Sequence, residues 1–133
     1  MRMSSYLFFG TCCEEALAFY KGCGLGEVVE IVRYGEYGLP VRNEAMRGRV
    51  MHACFAGPGV LFHASDNDDA EPMKGSALLV ETSDREWQAA LFAQMQEGGR
   101  ITVPLGPAAW GSQFGMLVDR FGVQWMFDCP DEG

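Results

Sequence analysis

Hydrophobic and polar positions along the chain switch between short strand-like runs and helical spacing. Tyr6 to Phe9 is a short apolar run that reads as a strand, ended by Gly10-Thr11. Ala16, Leu17, Phe19, Tyr20 and Cys23 then recur at helical intervals and predict a helix over 13–22. Thr11 and Glu14 have the spacing of a capping box at its start, and Gly22, Gly24 and Gly26 end it. Glu27 to Tyr34, rich in Val and Ile, predicts a strand. Residues 35–49 carry turn residues and no period. This longest irregular stretch has few apolar anchors beyond Tyr37, Leu39 and Val41, so it is expected to be the most mobile segment, either a lid over the trough or a mobile loop. Met51–Ala56 and Val60–Ser65 predict a hairpin around Gly57-Pro58-Gly59.

The pattern then restarts. Asp66 to Pro72, DNDDAEP, reads as a solvated acidic linker; it lacks the sixth-position glycine and twelfth-position glutamate of a calcium loop. Ala77–Glu81 predicts a strand, and Ser83 and Glu86 form a second capping-box pattern. Trp87, Ala90, Leu91 and Met95 follow on a helix to about Glu97, stopped by Gly98-Gly99. Ile101–Val103 predicts a strand ended by Pro104. Phe114–Val118 and Val123–Phe127 predict a final hairpin about the turn Asp119-Arg120-Phe121-Gly122, entered through Trp110-Gly111.

The two halves share one pattern. Thr11 and Ser83 lie 72 residues apart, as do Glu14 and Glu86, while Gly59-Val60 matches Gly122-Val123 at an offset of 63. A long loop in the first half and a shorter one at 105–112 account for the difference. Each half therefore reads strand, helix, strand, strand, strand. The fold expected is α+β: two βαβββ modules, about 1–70 and 71–133, in one domain, forming a curved mixed sheet with the helices outside. Such a sheet encloses a concave trough, a natural site for a small molecule.

Composition narrows the partners. Apolar residues are 48% of the 133-residue chain, enough for a real core, and the 21% charged residues carry no signature of disorder. A net charge of −8 argues against nucleic acid and against an anionic membrane surface, because both would repel it. No apolar run reaches the length of a membrane span, and Met1-Arg2-Met3 leads into a strand without a signal-peptide apolar region. The five cysteines are odd in number, two are adjacent, and no CxxC occurs, so reduced thiols in a cytoplasmic protein are expected. Cys12 would sit near a helix N-terminus, where the dipole lowers a thiol pKa; the simpler reading is a small half-buried residue.

The twice-repeated βαβββ pattern resembles the vicinal-oxygen-chelate superfamily of glyoxalase I, extradiol dioxygenases, and fosfomycin and bleomycin resistance proteins. Within it the chain is most similar to the PhnB-like branch. The residues that carry the likeness are Tyr6-Leu-Phe-Phe, Glu14-Glu15-Ala16, Phe19-Tyr20-Lys21, Met51-His52-Ala53, Ser65-Asp66, Trp110-Gly111, Gly115, Asp119, Phe121-Gly122 and Trp125. Arg120 and Val123 depart from the proline and histidine usual there. Metal-using members place His, Glu or Gln at equivalent strand positions. The resemblance puts these at Ser5, His63 and Met126, with Gly75 to Leu79 for the second module's first strand. His63 is the sole competent ligand among them, joined at most by His52, whereas a zinc or iron site usually takes about three side-chain ligands.

No Ser-His-Asp motif and no glycine-rich cofactor loop between strand and helix is present. Trp110 and Met126 are candidates for an aromatic and thioether wall, or for ordinary core packing. A loop of two or four residues at Gly57-Pro58-Gly59 puts His52 and His63 on one face, and a three-residue loop puts them on opposite faces; the resemblance favours a two-residue turn at Pro58-Gly59, which pairs Cys54 with His63 and leaves the histidines diagonal on one face. The function expected is small-molecule binding in the trough, without metal or other cofactor, through Ser5, His52, His63, Trp110 and Met126. The rival is a metal-dependent lyase or dioxygenase-like enzyme, and a third reading is an interaction protein with a filled trough. By resemblance a homodimer is expected.

Overall fold

The computed structural model describes residues 1–36, 38 and 40–131; Tyr37 and Leu39, two of the expected loop anchors, lie outside the described residues. The chain divides into two compact units, the first ending at Pro72 and the second beginning at Met73. Each is a βαβββ module carrying its own four-stranded mixed sheet.

The first unit contains β1 (Ser5–Phe9), α1 (Cys13–Gly22), β2 (Glu27–Arg33), β3 (Val50–Gly57) and β4 (Val60–Asp66), in sheet order β1-β4-β3-β2. β1 runs parallel to β4 and the other neighbours are antiparallel. Cys13, Ala16, Leu17 and Tyr20 recur at helical spacing and are all buried, so α1 lays a single apolar stripe on the sheet. The sheet answers with Leu7 and Phe9, Ala53 and Phe55, and Phe62 and Ala64, the alternate residues of three strands. The Tyr20 ring stands edge-on to Phe55 at 6.4 Å and to Phe62 at 6.1 Å.

The expected capping box at Thr11 does not form. Cys12 is the N-cap residue and offers no side-chain bond. Asp66, at the far end of β4, supplies the acceptor instead: Cys13 N–H donates to its Oδ1 at 2.9 Å, and Val50 N–H donates to its Oδ2 at 3.0 Å. A buried carboxylate facing the positive end of a helix is a stronger acceptor than a hydroxyl. Asp66 is therefore no part of a solvated linker; one side chain ties α1, β3 and β4 together. The residues after it are also engaged, since Arg42 pairs with Asp68 at 3.1 Å and with Asp69. Arg33 forms a two-pronged pair with Glu14 at 3.0 and 2.7 Å and also donates to the Gly48 carbonyl. The expected irregular stretch contains a 3-10 turn, Glu44–Met46, capped by Asn43.

The second unit contains β5 (Leu78–Glu81), α2 (Arg85–Met95), β6 (Arg100–Pro107), β7 (Ser112–Val118) and β8 (Gln124–Pro130), in the equivalent order β5-β8-β7-β6. Its N-cap is Asp84, not Ser83: the Asp84 carboxylate accepts Trp87 N–H at 3.0 Å. Gln88, Leu91, Phe92 and Met95 form the buried stripe of α2, and Trp87 is exposed. Gln88 tolerates burial because its amide donates to the Gln113 carbonyl at 2.9 Å and accepts from the Gln113 amide at 3.2 Å.

β6 does not stop at Pro104. It runs on to Pro107 as an edge strand whose register slips between Val103 and Gly106, and an edge at a bulge accommodates the missing N–H. The final turn forms at Gly122, whose φ of +89° is glycine territory. Asp119 knits that turn, accepting from Phe121 N–H at 2.9 Å, Val123 N–H at 3.0 Å and the Trp125 indole at 2.9 Å.

Candidate ligand-binding face

Burial alternates along β1, most of β3 and the first part of β4, so the face opposite α1 carries the intervening residues. β4 contributes His63 between buried Phe62 and Ala64, and β3 contributes His52 and Cys54 on either side of buried Ala53. The two-residue turn pairs Gly57 with Val60 and Cys54 with His63, which leaves the histidines diagonal. Their rings lie stacked with centroids 5.3 Å apart and planes 26° from parallel.

Tyr6 completes the group. It is the parallel partner of His63, its ring lies 6.1 Å from that imidazole at 16°, and its hydroxyl shares a 3.3 Å hydrogen bond with His52 Nδ1 whose direction follows the tautomer. Phe8 extends the aromatic surface, 4.9 Å from Tyr6. Among the described residues His63 Nδ1 has no hydrogen-bond partner although the atom is buried. A buried unpaired nitrogen is costly, and a ligand that reaches it relieves the cost.

Ser5 is not part of this face. It pairs with Phe62 and shares the α1 side with Leu7 and Phe9, so Tyr6 takes the place expected of Ser5. Counting back from Phe19-Tyr20 misses the position by one residue, and in a strand a one-residue slip exchanges the two faces. Trp110 and Met126 lie in the second unit. Trp110 is 65% exposed, stands edge-on to Phe114 at 5.1 Å and donates to Asp128 Oδ1 at 3.5 Å. Met126 pairs with Met116 on one side and Leu79 on the other, on the face opposite α2.

The residues do not fit the metal that the superfamily resemblance implies. Among the described residues no three His, Cys, Asp or Glu side chains converge, and His52 with His63 supplies two nitrogens where a protein site usually takes about three side-chain ligands. Nor is Cys12 set up as a nucleophile. Burial raises its thiol pKa first, and the carboxylates of Asp66 and Glu15 add to the effect.

A family model described as 3-demethylubiquinone-9 3-methyltransferase matches residues 1–127. The chain is 31% identical to protein PA1353 of Pseudomonas aeruginosa, with a TM-score of 0.88 and 99% of each chain covered. It is 28% identical to a PhnB protein from Bacillus cereus, with a TM-score of 0.81 over 97% of this chain and 99% of that one. The fosfomycin resistance protein FosX from Listeria monocytogenes shares the fold at 10% identity and a TM-score of 0.66, over 98% and 94% of the two chains. Among the described residues no helix is long and apolar enough to cross a membrane.

Proposed function

Since the chain belongs to the 3-demethylubiquinone-9 3-methyltransferase family, the PhnB-like branch of the vicinal-oxygen-chelate superfamily, we propose that it binds a small molecule on the face of Tyr6, His52 and His63 without a catalytic metal. The observation that carries this reading is the stacked histidine pair beside an exposed tyrosine, with the buried His63 Nδ1 unpaired among the described residues. An aromatic surface edged by imidazoles suits a flat, partly apolar molecule bearing an acceptor or an acidic group. In the second unit Trp110 and Met126 offer apolar and aromatic area of the same character.

Methyl transfer, which the family description names, finds little support in the residues. The carboxylate of a sulfonium cofactor's amino-acid part is suited to a cradle of backbone N–H groups at a helix N-terminus or a glycine-rich turn. Here both helix N-termini are taken by carboxylates, Asp66 at α1 and Asp84 at α2.

The protein works as a cytoplasmic homodimer in this reading. The free thiols support the compartment, and the exposed edge strands β2 and β6, with Val29 and Ile101 in the open, support pairing with a second copy. Light scattering that returns the mass of a single chain would remove the dimer.

The test of metal-free binding is elemental analysis of protein purified without chelator or affinity tag. Substoichiometric zinc, iron and nickel are expected. Near-stoichiometric metal, lost in His63→Ala, would overturn the reading in favour of a metal-dependent lyase or dioxygenase-like enzyme.

A further inference from the structure

A second site lies on the other side of the first unit. A cavity of about 470 Å³ opens between the first turn of α1 and the segment that leads into β3, lined by Thr11, Glu14, Glu15, Arg49 and Asp66 among others. That volume is in the range of small-molecule sites. Its charged groups divide into two classes. Glu14 is committed to Arg33 through two hydrogen bonds, and both Asp66 oxygens are committed to backbone N–H groups. Arg49 and Glu15 are committed to nothing: among the described residues no carboxylate lies within ion-pairing distance of the Arg49 guanidinium, no cation pairs with Glu15, and the two do not reach one another. The Thr11 hydroxyl, displaced from its capping role by Asp66, makes no hydrogen bond there either.

Arg49 is half-buried, and its guanidinium has no ion-pair partner among the described residues. Its fork of N–H donors matches a carboxylate in two-pronged geometry. A simple anion would also meet Glu15 at the rim and a chain of net charge −8, both repulsive. A molecule with its own cation avoids both penalties. We propose that this cavity binds a small zwitterion of the free amino-acid type, its carboxylate on Arg49 and the Thr11 hydroxyl and its ammonium on Glu15. The site is separate from the histidine face and does not depend on what that face binds.

The test is isothermal titration of the full chain with the standard free L-amino acids, each alongside its N-acetylated and its amidated form. Saturable binding of at least one free amino acid is expected, lost when either end is blocked. Arg49→Gln should weaken it roughly tenfold or more, the scale of one charge-assisted contact, with partial recovery in Arg49→Lys. Glu15→Gln, at an exposed position that cannot unfold the unit, should weaken it while leaving the urea midpoint unchanged. No binding by any free amino acid, equal binding of the blocked forms, or an Arg49→Gln titration identical to the parent would overturn the proposal.

Discussion

Asp66→Ala isolates the interaction on which the first unit depends. The carboxylate is 3% exposed and accepts two backbone N–H groups from segments far apart in the chain, Cys13 at the head of α1 and Val50 at the start of β3. Truncation leaves both donors without a partner, at about 1–3 kcal/mol each, so the expected loss is about 2–6 kcal/mol. A domain of this size has about 5–15 kcal/mol in total, so the variant should be folded but much weakened. Asp66→Asn keeps one acceptor oxygen and sets an NH₂ against the other donor, and it should fall between parent and alanine. Asp84→Ala is the internal comparison. It removes an exposed N-cap that accepts one N–H, worth about 1 kcal/mol. Urea unfolding followed by circular dichroism reads the difference. With a slope of about 2 kcal/mol per molar, the Asp66→Ala midpoint should drop by about 1–3 M and that of Asp84→Ala by about 0.5 M. An Asp66→Ala midpoint that falls no further than that of Asp84→Ala would refute the account of a shared buried acceptor.

Two further outcomes follow from the packing and the charges. A Cβ at Gly57 would sit 2.4 Å from the Leu25 carbonyl oxygen and 2.9 Å from Gly26 Cα, so Gly57→Ala should cost about 1–3 kcal/mol. Gly106→Ala, with open space around it, should stay within about 0.5 kcal/mol of the parent; equal midpoints for the two variants would contradict the close approach. The Cys13 thiol, buried beneath α1, is pushed up to about 12, first by burial and then by the Asp66 carboxylate. Its folded value lies above its ordinary value of 9.0, so its contribution is complete below 9.0 and is lost as pH rises from there through about 12. Urea midpoints across that window should fall more steeply for the parent than for Cys13→Ala, and parallel curves would rule the thiol out.

Local pattern was enough to read the order of elements. The stripe Ala16, Leu17 and Tyr20 and the turn glycine Gly122 are short-range signals, and each reads the same in the chain and in the fold. The two-residue turn that the family resemblance favours sets the register of the β3–β4 hairpin, and with it the diagonal placing of His52 and His63. What lay beyond the sequence are choices made by partners distant along the chain. A Thr-x-x-Glu spacing announces a cap, but the acceptor at α1 is Asp66, 53 residues from Cys13, because a buried carboxylate competes better for the N–H than a local hydroxyl. Trp87 looks like the core residue of α2 and Gln88 like a surface one, yet Gln113 across the module satisfies the buried amide and reverses them. Tyr6 joins the histidines and Ser5 does not, because β1 lies parallel to β4 in a register set by the sheet as a whole. Periodicity states which residues share a face of their own element; which faces meet, and which polar groups find partners there, is decided when the chain closes over long loops and every buried donor must be matched.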